Sequence, residues 1–127
     1  MTMNIKGARL GAAPDGFYRV LVDRLWPRGV RRAEAPFDEW IKDVAPSSEL
    51  RRWYGHDPAR YETFATRYRA ELQTRWNDPP MQHLLALLRA RPVVLLTATR
   101  ILELSQVPIL VSFLASEVRA ESDSSEP

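Results

Sequence analysis

Residues 92–99, Pro-Val-Val-Leu-Leu-Thr-Ala-Thr, are continuously apolar and then turn hydroxyl-rich. A short unbroken run of this kind reads as a strand buried on both faces, and the polar change at its end is what such a strand shows where it opens onto a site. A second run, Val20-Leu21-Val22, ends in the same way. Asp23 brings charge to its end, and Arg24, Arg28, Arg31 and Arg32 follow, interrupted by Leu25, Trp26 and Pro27. Two apolar strands that end in polar loops, with helical patterns between them, point to an α/β fold whose ligand site lies at the strand ends.

The remaining elements follow from local signals. Residues 4–10 form a weakly patterned first strand, and the Gly, Pro and Asp of residues 11–16 mark a turn. So short a link to the second strand suits a hairpin, because a parallel crossover usually takes a dozen residues or more. In residues 35–44, Phe37, Trp40, Ile41 and Val44 recur at helical spacing and predict a short helix with Trp40 in the core. Ser47 or Ser48 is placed to cap a second short helix that Gly55 stops in a left-handed conformation. Asp57-Pro58 starts a longer helix with Tyr61, Phe64, Ala65, Tyr68 and Leu72 on its buried stripe, and Asp78-Pro79-Pro80 starts another with Met81, Leu84, Leu85 and Leu88. Residues 102–107 read as helical, with Pro108 either beginning a further helix or bending the first.

A chain of 127 residues is the size of one domain, here residues 1–118, followed by an acidic tail, 119–127, expected to be disordered. The absence of cysteine excludes disulfides, thiol nucleophiles and cysteine-ligated metals, and fits a reducing cytoplasm. No apolar run is long enough to span a membrane, so no membrane partner is expected. All the basic residues except Lys6 and Lys42 are arginines, and the net charge of +2 is too small to argue for nucleic acid by itself. His56 and His83 are far apart in sequence and lack the carboxylate clustering of a metal site, so no metal is expected.

The blocks YRVLVDRLWPRG (18–29), DEWIKDVAPSSELRRWYGHDP (38–58) and RYRAEL (67–72) resemble the small bacterial proteins of the DUF488 family, in its YeaO-like branch. The resemblance covers nearly all of the folded part. It implies a single α/β domain with a small, mainly parallel central sheet flanked by helices, which disfavours the hairpin. In the family, a basic residue and then an aspartate usually follow the strand that resembles residues 95–99. Arg100 matches the first position, whereas Ile101 departs from the second.

With the two clear strands parallel, Asp23 and Arg24 meet Thr97, Thr99 and Arg100 at one edge, and Arg28 closes the mouth. Guanidinium groups around hydroxyls make a cradle for phosphate or carboxylate. His56, directly before a helix start, is the second acid–base candidate beside Asp23, although each also has a purely structural reading, as a helix-start residue and as an ion-pair partner. Two function classes stand side by side. One is a small or degenerate enzyme for an anionic ligand, with Arg24→Ala alone abolishing binding; nothing in the chain signals a cofactor. The other is a nucleic-acid module built on Arg24, Arg28, Arg31, Arg32, Arg51 and Arg52, with Trp26 and Trp53 free to stack on bases.

Overall fold

The computed structural model describes residues 4–124, with side chains as far as Ala120. Four strands, β1 (Ile5–Arg9), β2 (Tyr18–Leu21), β3 (Glu39–Trp40) and β4 (Val93–Thr97), form one all-parallel sheet in the order β1-β4-β2-β3. The hairpin suggested by the short β1–β2 link does not form. β4 lies between the two strands, and residues 10–17 return across the sheet to begin β2 in the same direction. Both ends of that crossing are tied to β4 and its approach, with Leu10 N–H donating to Thr97 O and Tyr18 N–H to Pro92 O. Lys6 pairs with Asp15 on the same crossing, and that hydrogen bond holds the Asp15 carboxyl below the usual carboxylate range.

The helices are α1 (Ser48–Tyr54), α2 (Tyr61–Thr74), α3 (Pro79–Ala90) and α4 (Val107–Ser124). Ser47 caps α1 by accepting from Leu50 N–H, and Gly55 ends it at φ 54°. Asp57 and Pro58 open a 3-10 turn that leads into α2. A 3-10 turn at Leu102–Leu104 precedes α4, so Pro108 sits in the first turn of a new helix, where its missing N–H costs nothing. α4 continues to Ser124, past the expected end near Glu117, and residues 125–127 of the expected tail lie outside the described residues.

All four helices contribute to one core, which includes Val20, Val22, Val93 and Leu95 from the sheet segment. The opposite sheet face, formed by Leu21, Val94 and Leu96, packs against Ala8, Leu10, Phe17, Phe37 and Trp40, none of which lies in a helix. This division corrects the helix expected over residues 35–44. Phe37 and Trp40 belong to one face of the sheet while Ile41 and Val44 belong to the other, so their helix-like spacing is shared between two cores. The segment instead makes edge strand β3, anchored by Ile41 N–H to Leu21 O and Asp38 N–H to Arg19 O, followed by a 3-10 turn at Lys42–Val44.

Gly7 marks a close approach of the sheet to α4, because a Cβ there would overlap Val107 Cγ1. Val107 is buried in the first turn of α4, and its β-branched side chain has little rotamer freedom with which to yield. Gly7→Ala is therefore expected to destabilise the fold by about 1–3 kcal/mol, the usual cost of overpacking. A lower urea midpoint with an unchanged slope is the result to look for, and a wild-type midpoint would contradict it.

Candidate functional site

The C-terminal ends of β2 and β4 are neighbours, and the loops leaving them form the floor of a cleft of about 730 Å³. Asp23, Arg24, Arg28, His56, Thr99 and Arg100 all line it, and Thr97 lies fully buried beneath. Every site residue expected from the sequence is thus in one place, including His56, which is 33 residues from Asp23 in the chain. α1 and the start of α2 supply the far wall through Arg51, Tyr54 and Phe64.

The chemistry of these groups differs from what their residue types suggest. Asp23 is a clasp: Oδ1 accepts from Thr97 Oγ1 at 2.6 Å and Gln106 Nε2 at 2.8 Å, and Oδ2 accepts from Ala98 N–H at 2.8 Å. Its carboxylate joins the ends of β2 and β4 to the segment before α4. Thr97 Oγ1 also lies 3.0 Å from Thr99 Oγ1 and accepts from Thr99 N–H, so both hydroxyls belong to the same network. Gln106 escaped the sequence reading because a lone glutamine before an apolar helix carries no distinctive signal. It is buried and also donates to Val22 O.

Arg24 is similarly committed. Its guanidinium donates to Pro46 O at 3.2 Å, Ala45 O at 3.0 Å and Asp43 Oδ1 at 3.2 Å, tying the β2 exit to the turn before α1. Each of the three Arg24 nitrogens thus already donates once within the protein, to two main-chain carbonyls and one carboxylate, which leaves Arg24 less available to an anion than the sequence suggests. The side chains of Arg28, Arg51 and Arg100, by contrast, are exposed and have no hydrogen-bond or ion-pair partner among the described residues. Of these, Arg51 was visible to sequence reasoning only as part of a general basic surface.

His56 is exposed, adopts φ 58°, and approaches the Tyr54 ring at 6.0 Å between centroids. Left-handed backbone is uncommon outside glycine, although histidine tolerates it better than most residues, and here it follows directly on left-handed Gly55. The pair turns the chain sharply from α1 into Asp57-Pro58, and this turn brings His56 to the rim. The nearby phenols are built into the frame: Tyr54 donates to Leu104 O at 2.6 Å, Tyr61 to Ser105 O at 2.9 Å and Tyr68 to Val44 O at 2.6 Å. Burial pushes all three phenols above the ordinary tyrosine range.

Neither tryptophan of the nucleic-acid reading, Trp26 at the cleft or Trp53 away from it, is free. Trp26 donates to Val30 O and meets Phe37 and Trp40 edge-on, with the Arg32 guanidinium 4.6 Å from its ring centre. Arg60 and Arg67 both lie over Trp53, at 5.1 and 4.4 Å. His83 pairs with Glu39 on the surface. Among the described residues no three histidine, aspartate or glutamate side chains are arranged to hold a metal ion, and no helix is long and apolar enough to cross a membrane.

Comparison with known proteins agrees with the resemblance drawn from the sequence blocks. A family model described as "Inactive DUF488-N3 subclade" matches residues 2–127. An uncharacterized protein of Mycobacterium tuberculosis is 45% identical over 102 residues, covering 80% of this chain and 83% of the relative. The uncharacterized Escherichia coli protein YeaO is 34% identical over 117 residues, covering 90% of this chain and 99% of the relative. No solved structure matches the chain. With the whole-length family match and these two relatives, the chain belongs to the DUF488 family, in the subclade that this model describes.

Proposed function

We propose that the protein binds a small oxyanion, phosphate or carboxylate, in the cleft at the ends of β2 and β4, and that it does so without turning the ligand over. The observation that carries this reading is a set of three guanidinium groups, Arg28, Arg51 and Arg100, that are unpaired among the described residues and surround one cleft. Four arginines line that cleft against a single carboxylate, and the carboxylate already accepts three hydrogen bonds from its own protein. Such an excess of planar, permanently charged donors favours an anion by charge and by bidentate hydrogen bonding. Asp23, Arg24 and Thr97 serve as positioning residues that hold the two loops.

The absence of turnover is supported by the use already made of Asp23 and by the frame role of the tyrosines, which leave the His56 ring without a hydrogen-bonded partner among the described residues to orient it as an acid or base. The word "inactive" in the family description agrees with this. The nucleic-acid alternative loses its stacking surface to internal cation–π and edge-on contacts.

Titration calorimetry at low salt with inorganic phosphate, acetate and a short oligonucleotide tests the reading. Saturable binding of one small anion is expected, weakened about 10-fold or more by Arg100→Ala and further by Arg28→Ala, since charged hydrogen bonds contribute about 1.5–3 kcal/mol each. Oligonucleotide binding that falls steeply with salt, with no response to phosphate or acetate, would overturn it.

A further inference from the structure

The cleft is much larger than a bare oxyanion, and part of its lining is apolar in an unusual way. Among the described residues only two large hydrophobic side chains are exposed, Leu25 at 58% and Ile101 at 49%, and both line this cleft. They come from different strand exits, Leu25 after β2 and Ile101 after β4. Each stands close in sequence to an unpaired guanidinium, Ile101 next to Arg100 and Leu25 three residues before Arg28. Half-buried Trp26 adds aromatic surface to the same lining, with Tyr54 and Phe64 almost wholly buried behind it. Elsewhere the chain buries its leucines, isoleucines and phenylalanines at least in part, so the two exceptions coincide with the cationic groups.

A single exposed leucine means little in a soluble protein, but apolar surface concentrated in a cleft with a few convergent polar groups is the composition of a small-molecule site. The volume of about 730 Å³ falls within the usual range of roughly 300–1,000 Å³ for such sites, and a phosphate or acetate ion would leave most of it to water. We infer that the ligand is an organic phosphate or carboxylate with an aromatic or branched-alkyl body, its anionic head on Arg28, Arg51 and Arg100 and its body between Leu25 and Ile101. This rests on the anion-binding reading and adds the chemical class of the rest of the ligand.

Calorimetry on the full chain at fixed ionic strength compares inorganic phosphate with phenyl phosphate, acetate with benzoate, and neutral benzyl alcohol as the uncharged arm. The expected result is about 10-fold tighter binding of the aryl anion than of its bare counterpart, from burial of apolar surface. In a Leu25→Ala/Ile101→Ala double variant, that advantage should shrink to about 3-fold or less while the bare anion binds as before. Phosphate binding without any gain for phenyl phosphate would overturn the inference and leave the anion reading intact. So would an aryl advantage that survives in the double variant, or a double variant that changes only the sedimentation behaviour of the protein, which would assign the apolar pair to self-association. Benzyl alcohol binding as tightly as benzoate would instead overturn the anion reading, and no binding of any probe would overturn both.

Discussion

Asp23→Ala is expected to cost about 2–4 kcal/mol of folding stability, a large effect for one half-buried side chain. The carboxylate accepts from Thr97, Gln106 and Ala98, which belong to β4, the loop after it and the segment before α4. Hydrogen bonds to an ionised acceptor are worth about 1.5–3 kcal/mol each, but their losses do not add. Gln106 keeps Val22 O, and Thr97 can turn its proton toward Thr99, which sets the upper limit. Asp23→Asn separates charge and acceptors from mere volume. All three partners of the carboxylate are donors, so an amide must turn its NH₂ toward at least one of them. It should therefore cost about 1–3 kcal/mol despite its matching shape. Urea unfolding of the two variants measures both values. A catalytic carboxylate held ready for chemistry would behave in the opposite way, since its replacement relieves strain, and an unchanged or raised stability in Asp23→Asn would restore that role.

The position of this clasp and its Thr97 partner could be read from the sequence, while Gln106 and the Ala98 amide could not. Val20–Val22 and Val93–Leu96 announced two buried strands because runs of this composition fit a sheet covered on both faces. Once these strands are parallel, Asp23 and Thr97 must meet at one edge. The direction of the arginines was hidden. Arg24 and Arg28 look alike in sequence, yet Arg24 reaches carbonyls 21 and 22 residues away, at Ala45 and Pro46, and Arg28 reaches none among the described residues. Which guanidinium is spent depends on the path of the loop before α1, and no local pattern encodes that path. Residues 35–44 were misleading for a related reason. A helical period records only how often apolar residues recur, and Phe37, Trp40, Ile41 and Val44 keep that period while serving opposite faces of the sheet.

Arg19→Ala is expected to be comparably severe, at about 2–4 kcal/mol, and to act on the other side of the molecule. Parallel sheets normally have helices on both faces, because a bare face must otherwise be covered by irregular chain whose main-chain polar groups need partners. Here the face of Leu21, Val94 and Leu96 packs with Ala8 of β1 and Trp40 of β3 and is otherwise covered by Leu10, Phe17 and Phe37 from two such stretches. Arg19, only 8% exposed, supplies the missing donors: Nε to Pro36 O at 2.8 Å, and Nη2 to Leu10 O at 3.2 Å and Ala12 O at 2.9 Å. One guanidinium thus joins both stretches to β2, which explains how a charged residue is tolerated inside a strand next to an apolar core. Arg19→Met keeps most of the apolar stem and should still lose about 1–3 kcal/mol, because the three carbonyls remain and their donor does not. Arg19→Lys should recover little, since an ammonium on a single stem lacks the planar fork that reaches both stretches at once. Hydrogen exchange in these variants should rise first at Leu10 and Tyr18 N–H, which tie the crossing to β4 and its approach, and only later in the helical core. Uniform loss of protection, or a wild-type urea midpoint in Arg19→Met, would mean that packing of Phe17, Phe37 and Trp40 alone holds this layer in place.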